Sequence, residues 1–264
     1  MKNIIISVLI ITLLSCEKVI DINLNEANPQ TVVDAKLFNG TKDFIVKLNQ
    51  TTDYYNPQPY ETINNAIVTI ADENGNINIL EENVDGEYIL KNFEGVTNKS
   101  YSLEILLTTG EKYISTALLP NVVQLDDIIF DFEEQSLFGE SGFVPYCVFQ
   151  EPVSEKNFYR IVITVNGKRK DAIEDLFITD DELINGNQIV VPLFSERLKI
   201  GDTVTMELIT MDENVFNYLE TLSSIAGGAQ QQSAAPANPN TNISGGALGY
   251  FGAYSTSSLT KVVE

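Results

Sequence analysis

The chain has 264 residues, of which 44% are hydrophobic and 20% are charged, and its formal net charge is -21. This length allows two globular domains of ordinary size. The acidic excess argues against nucleic acid as a partner and against adsorption to an anionic lipid surface, because both need clustered lysine and arginine. Histidine is absent, which excludes Ser-His and Cys-His nucleophilic catalysis and most zinc sites. No catalytic residue, cofactor or metal site is predicted, and a cationic ligand or calcium stays an open alternative for so acidic a protein.

The first 15 residues have the features of a secretory signal peptide. Lys2 supplies a positive charge, residues 4–14 form an apolar run, and the small Ser15 ends it. The run is too short to span a bilayer, which takes about 20 apolar residues. The sequence therefore predicts an exported protein.

A cysteine follows the signal directly, and together they resemble a bacterial lipoprotein signal. The lipobox would consist of Leu13, Leu14, Ser15 and Cys16. The resemblance implies that Cys16 receives a diacylglyceryl group, that the signal is removed, and that the new N-terminus is acylated. Two or more acyl chains anchor a protein stably, whereas one holds it only marginally. The alternative is an ordinary signal peptide with a cysteine nearby. Residues 16–30 are polar and are predicted to form a lipidated tether.

Residues 31–120 predict an immunoglobulin-like β-sandwich. Apolar side chains recur at every second position in several short runs, such as Phe44, Val46 and Leu48. Asn74 and Gly75 lie between two apolar runs and are a strong hairpin signal, because both residues can adopt a positive φ. About seven short strands with turns at this spacing favour a sandwich.

One loop of this sandwich holds three tyrosines and two prolines within residues 51–60. Tyr54, Tyr55 and Tyr60 are candidate ligand-binding residues, because aromatic side chains on a stiff loop offer contact area at low entropic cost. The alternative is that the tyrosines pack back onto the sandwich, since aromatic side chains are usually buried.

Residues 121–264 predict a second β-rich domain with one α-helix over residues 212–226. Asp212 is its expected N-cap, and Val215, Leu219 and Leu222 recur at helical spacing. A glycine- and aromatic-rich C-terminal segment follows. If Cys16 carries lipid, Cys147 has no disulfide partner, and its strand-like surroundings predict a buried apolar role.

Four segments of the mature chain carry a resemblance to a known family. They are residues 16–21, strand residues 32–34, the tyrosine-rich loop before residues 66–70, and the ending Asn-Ile-Ser-Gly-Gly-Ala-Leu-Gly-Tyr-Phe-Gly at 242–252. Together they resemble the Bacteroidetes outer-membrane lipoprotein family known as domain-of-unknown-function family 4249 (DUF4249). Members commonly have an Asp-Pro-Phe-like segment before that ending, where this chain has Ala-Pro-Ala-Asn-Pro at 235–239. The family implies an outer-membrane lipoprotein, often encoded near a TonB-dependent transporter, and brings no agreed activity or site residues.

The sequence therefore predicts a non-catalytic lipoprotein anchored in the outer membrane, on its periplasmic or cell-surface face. It would act as an accessory or ligand-binding partner of a TonB-dependent transporter. The alternative is a stand-alone surface adhesin or glycan/peptide-binding module that uses the tyrosine loop. A hydrolase built on a carboxylate pair, such as Asp126-Asp127, Glu133-Glu134 or Asp180-Asp181, is disfavoured, because adjacent side chains on a strand face opposite ways.

Overall fold

The computed structural model describes residues 28–52, 59–134, 141–153, 155–227 and 238–264. Within these residues the protein has sixteen strands, one α-helix and one short 3₁₀ helix, which confirms the expected mainly-β fold with a single helix. No helix among them is long and apolar enough to cross a membrane. The signal peptide and lipobox predicted at residues 1–16 lie outside the described residues.

The elements follow the chain in this order: β1 (Thr31–Phe38), β2 (Gly40–Gln50), β3 (Ile67–Asp72), β4 (Ile77–Ile79), β5 (Glu81–Val84), β6 (Glu87–Gly95), β7 (Lys99–Leu106), β8 (Lys112–Leu119), β9 (Leu125–Glu133), β10 (Gly142–Gln150), β11 (Phe158–Val165), β12 (Lys168–Lys170), the 3₁₀ helix (Ile173–Asp175), β13 (Phe177–Asp180), β14 (Gln188–Pro192), β15 (Thr203–Met211), α1 (Glu213–Gly227) and β16 (Leu248–Val262).

The described strands form three sheets. The long sheet has the order β12-β11-β15-β16-β1-β2-β6-β5, and β13 also pairs with β11. The first covering sheet has the order β4-β3-β7-β8, and the second covering sheet has the order β14-β10-β9. Strand β16 sits at the centre of the long sheet, parallel to β1 and antiparallel to β15.

The first core lies between the long sheet and the first covering sheet, which confirms the N-terminal β-sandwich. Strand β8 shows how the sequence produces it, because its residues alternate strictly between exposed and buried. Tyr113, Ala117 and Leu119 point inward and pack with residues such as Phe44 and Phe251. Burial of these apolar surfaces is the main stabilising term of such a sandwich.

The second core lies between the other half of the long sheet and the second covering sheet, and includes Cys147, Phe149 and Met206. Strand β16 reaches both cores, since Phe251 packs in the first and Leu259 against the second. Both residues are odd-numbered, and side chains alternate along a strand, so both covering sheets lie on the same face of the long sheet. The glycine- and aromatic-rich segment, predicted as part of the second domain, thus contributes side chains to the first core.

Helix α1 covers the opposite face of the long sheet. Its N-cap is Asp212, whose Oδ1 accepts a hydrogen bond of 3.0 Å from the Val215 N–H. Val215 and Leu219 pack on a third cluster that includes Tyr250 and Tyr254. The helix predicted over residues 212–226 is confirmed within one residue at each end, a shift smaller than the usual uncertainty of helix boundaries.

Candidate functional site

A polar cleft of about 400 Å³ opens at the end of the first core where the described chain begins. We call it the polar cleft, and its walls include Gln30, Gln50, Thr62, Thr109, Glu111 and Gly246. Two of these residues, Gln50 and Thr62, lie on either side of the tyrosine-rich loop. The polar cleft therefore adjoins the loop in which binding residues were predicted.

Hydrogen bonds hold both ends of the tyrosine-rich loop beside this cleft. The Thr51 N–H donates to the Gln30 carbonyl at 2.9 Å, and the Gln30 N–H donates to Thr51 Oγ1 at 3.0 Å. The Gln50 N–H donates to the Glu61 carbonyl at 2.8 Å. Tyr60 is 71% exposed, so it does not pack back onto the sandwich. Tyr54 and Tyr55 lie outside the described residues, and their binding role stays a prediction.

The far wall of the polar cleft is built by a turn that closes onto β8. The backbone N–H and the hydroxyl of Ser244 both donate to the Ile114 carbonyl, each at 2.8 Å. A buried hydrogen bond of 3.0 Å from the Tyr113 hydroxyl to Thr31 Oγ1 ties β8 to β1 beneath it. Glu111 is the one carboxylate among the described lining residues, and it accepts a hydrogen bond from Thr109 Oγ1 at 2.7 Å. Such a cleft can bind a polar ligand through hydroxyl and backbone groups, and it offers no pair of carboxylates for acid-base chemistry.

The ending at residues 242–252 has an identifiable structural task. The Asn242 side chain bonds to the Phe251 backbone in both directions, with its Nδ2 donating at 2.8 Å and its Oδ1 accepting at 3.0 Å. Gly249 has a φ of +86°, and a Cβ there would lie 2.0 Å from the Val33 carbonyl oxygen. Only glycine lets β16 approach β1 this closely. These residues position the central strand of the long sheet.

A second surface was missed by the sequence analysis. The outer side of the first covering sheet carries six aliphatic side chains that are between 37% and 68% exposed. We call it the aliphatic face, and its members are Ile67, Ile77, Ile79, Leu106, Ile114 and Leu118. Cross-strand pairing brings them together, for example Ile67 opposite Leu106. Its charges are Glu104 and Lys112, which pair with each other at 2.8 Å.

This face contrasts with the outer side of the long sheet in the same sandwich. There, Asp34, Lys36, Lys47 and Glu87 place charged groups on neighbouring strands. A protein with a net charge of -21 has abundant acidic residues with which to cover an exposed sheet. A cluster of exposed aliphatic side chains is typical of an interaction site.

The carboxylate pairs considered for a hydrolase are engaged separately. Asp127 pairs with Lys261 at 2.5 Å, and the hydrogen bond from this lysine lowers the pKa of the carboxyl. Glu133 pairs with Arg197 at 3.3 Å. Asp181 is buried and accepts a hydrogen bond of 2.8 Å from the Asn157 N–H. The described residues contain no group of three acidic or cysteine side chains placed to hold a metal ion.

Glu151 is a buried carboxylate that the sequence analysis did not single out. It is 1% exposed, and its oxygens accept hydrogen bonds from Tyr159 Oη at 3.1 Å, Asn157 Nδ2 at 3.0 Å and the Gly186 N–H at 2.7 Å. Burial and the nearby carboxylate raise the pKa of Tyr159, which stays a neutral donor. Glu151 therefore joins two loops of the second half and has a structural role.

Cys147 is fully buried in the second core, which confirms the role predicted for it. Burial raises the pKa of its thiol to about 12. Because the thiolate is the reactive form, this side chain acts as a small apolar group.

Comparison with known proteins identifies the family. A search of curated proteins finds no match. The model of a family described as a domain of unknown function, DUF4249, matches residues 17–260. Since this match covers nearly the whole sequence, including the strand and the ending that hold the long sheet together, the chain belongs to the DUF4249 family.

Proposed function

We propose that this protein is a non-catalytic lipoprotein of the outer membrane that serves as an accessory, ligand-binding partner of a TonB-dependent transporter. The observation that carries the proposal is the aliphatic face. Surfaces of this kind on soluble domains usually contact another protein or a membrane. The ion pair of Glu104 and Lys112 neutralises its charge, so a partner needs no basic patch to approach it.

A lipid anchor at Cys16, which is part of this proposal, would also place the protein suitably for it. The twelve Cα–Cα steps from Cys16 to Asn28 span at most about 40 Å when fully extended. The described chain begins at the polar cleft. An anchored protein would therefore keep this end of the first core close to the bilayer, where the outer loops or periplasmic rim of a transporter would lie.

The proposal is tested by purifying the lipidated protein in mild detergent and identifying what accompanies it. We expect a transporter barrel to be recovered with the natural chain. The double variant Ile77→Lys and Ile79→Lys should abolish this recovery, because it places two charges in the aliphatic face. A matched control, Leu183→Lys with Ile200→Lys, changes side chains that are 92% and 73% exposed elsewhere and should leave recovery unchanged.

Two results would count against the proposal. One is that no barrel is recovered under several growth conditions. The other is an unmodified Cys16 thiol in the natural protein, observed by mass spectrometry, because the anchor would then be absent. Loss of recovery in the control variant as well would show that general surface charge, not the aliphatic face, governs the contact.

The second candidate function is a stand-alone adhesin or glycan/peptide-binding module. The exposure of Tyr60 beside the polar cleft favours it, because an aromatic side chain left in solvent offers a stacking surface. Changing Tyr54, Tyr55 and Tyr60 to alanine should then abolish ligand binding with the fold intact, while Phe at these positions should retain most of it. Binding that survives the alanine changes would assign the loop a structural role.

A further inference from the structure

A second cleft, of about 310 Å³, opens at the edge of the second core. We call it the edge cleft. It exists because β11 lacks a continuous neighbour at the sheet edge: β13 pairs with it as far as Ile161, and β12 pairs with it from Ile163 onward. Between these two strands the chain leaves the sheet as residues 171–176, which include the 3₁₀ helix. Apolar side chains of the second core, Ile161, Ile163 and Leu193, therefore line the cleft from inside.

An ion pair crosses this cleft from one wall to the other. Lys170 Nζ lies 2.6 Å and 2.7 Å from the two carboxylate oxygens of Glu196, which is only 5% exposed. Both oxygens of Glu196 are thus used by one lysine. Lys170 is half-buried, and separating the pair would leave the buried Glu196 charge without its partner.

The remaining charges of the edge cleft are negative. Glu174 and Asp175 line it from the 3₁₀ helix, are exposed to solvent, and form no ion pair with another described residue. With Glu196 and Lys170, the lining holds three carboxylates and one ammonium group. An anionic ligand would meet a repulsive field, whereas a cation would be attracted both here and by the whole protein, whose net charge is -21.

We propose that the edge cleft binds a small organic cation, with an apolar body against Ile161, Ile163 and Leu193 and a positively charged head at Glu174 and Asp175. An apolar floor with a few polar groups at its rim is the usual composition of a small-molecule site. The volume is near the lower end of the roughly 300–1,000 Å³ range of such sites, which favours a small ligand. This site is separate from both the polar cleft and the aliphatic face, so its test does not depend on the transporter proposal.

The probe is phenethylammonium, and its binding is followed by methyl NMR of the isoleucine-labelled protein. We expect saturable shifts of the Ile161 and Ile163 methyl signals at millimolar probe. The anionic analogue 3-phenylpropionate has a similar body and should not produce them. Equal affinity for the two analogues, or no saturable shift with the cation, would overturn the proposal.

Two matched pairs of variants test the two parts of the site. Glu174→Gln with Asp175→Asn should weaken binding about five- to thirtyfold, as expected for two partly solvated charges. The control, Asp126→Asn with Asp131→Asn, changes the net charge equally at exposed positions on β9 and should leave affinity within twofold.

Filling the cleft tests the position of the apolar body. Ser195→Trp places a large side chain in the edge cleft from its rim and should abolish binding, whereas Ser195→Ala should retain it. Circular dichroism establishes that each variant is folded. Undiminished binding by a folded Ser195→Trp protein, or an equal loss of affinity in both charge pairs, would overturn the assignment.

Discussion

Replacing Asp212 by asparagine is expected to stabilise the protein, and to do so more at pH 8 than at pH 5. Burial raises the pKa of Asp212 from 3.8 to about 6, although the Val215, Asn214 and Leu118 backbone groups oppose this shift by hydrogen bonding to the carboxylate. One of its oxygens, Oδ2, is buried without a hydrogen-bond partner among the described residues. Asparagine caps helices as well as aspartate does, and it removes the buried charge.

The magnitude follows from the pKa. Because the folded-state pKa is raised, the stabilising contribution of Asp212 is complete below its unfolded pKa and is lost as the pH rises through 6. With values of 3.8 and about 6, the ionised side chain costs about 3 kcal/mol of unfolding free energy at pH 8 and about 1.5 kcal/mol at pH 5. The advantage of the asparagine variant should therefore grow by about 1.5 kcal/mol between the two conditions.

The assay is urea unfolding followed by far-ultraviolet circular dichroism at pH 5 and pH 8. At each pH, the unfolding free energy of the variant is compared with that of the natural protein. The difference cancels the titration of the other carboxylates, because both proteins contain them. A second variant, Asp212→Ala, lacks the cap and should be about 1 kcal/mol less stable than asparagine at both pH values. An asparagine variant whose advantage stays constant or shrinks from pH 5 to pH 8 would refute the reasoning.

Three further predictions concern groups at the centre of the structure. Gly249→Ala should lower the free energy of unfolding by at least about 3 kcal/mol, because the added Cβ would collide with the backbone of Val33. Gly246→Ala is the control: its φ is +90° but the space around it is open, so it should cost about 1 kcal/mol. Equal losses of unfolding free energy in urea would contradict the close approach of β16 to β1. Cys147 should resist iodoacetamide in the folded protein and react after unfolding, because burial raises the pKa of its thiol to about 12, and peptide mass spectrometry would detect any labelling of the native chain. Glu151→Ala should cost about 3 kcal/mol or more, since it removes the acceptor of the Tyr159 hydroxyl, the Asn157 Nδ2 group and the half-buried Gly186 N–H. It should lower the melting temperature more than Glu151→Gln does, and similar melting temperatures would show that the network contributes little.

Local patterns in the sequence predict several elements of the fold correctly. The hairpin expected at Asn74-Gly75 forms, although only Gly75 of the two has a positive φ, of +83°. Asp72 accepts hydrogen bonds from the backbone of Asn74 and Asn76, both at 2.9 Å. Helix α1 was also predictable from local sequence, because its cap and its apolar stripe lie within fifteen consecutive residues. Signals of this kind involve neighbours in sequence and need no knowledge of the rest of the molecule.

The placement of β16 could not be predicted in this way. Alternation specifies that Leu248–Val262 has two faces, but it does not specify that one side pairs in parallel with β1 and the other with β15. The single sequence trace of the parallel pairing is Gly249, whose missing side chain makes room for the Val33 carbonyl. A glycine in a strand indicates that another part of the chain comes close to it, but it does not identify that part.

The candidate surfaces were harder to predict than the strands. In β8, Ile114 and Leu118 occupy the exposed phase while Tyr113 and Leu119 occupy the buried phase. Since both sets of alternating positions contain large apolar side chains, alternation does not tell which set faces solvent. The aliphatic face therefore cannot be predicted from the sequence pattern. The edge cleft depends on a gap between β12 and β13, which arises from pairing partners and not from composition.

The central position of β16 also constrains how the chain is made. Residues 248–262 leave the ribosome after all the other described strands, yet both cores take side chains from this segment or pack against it. Until it arrives, β1 and β15 each present an open edge, and nascent chains with open edges are prone to aggregate. Contacts between distant parts of a chain form slowly, so both cores stay incomplete until β16 is inserted between β1 and β15.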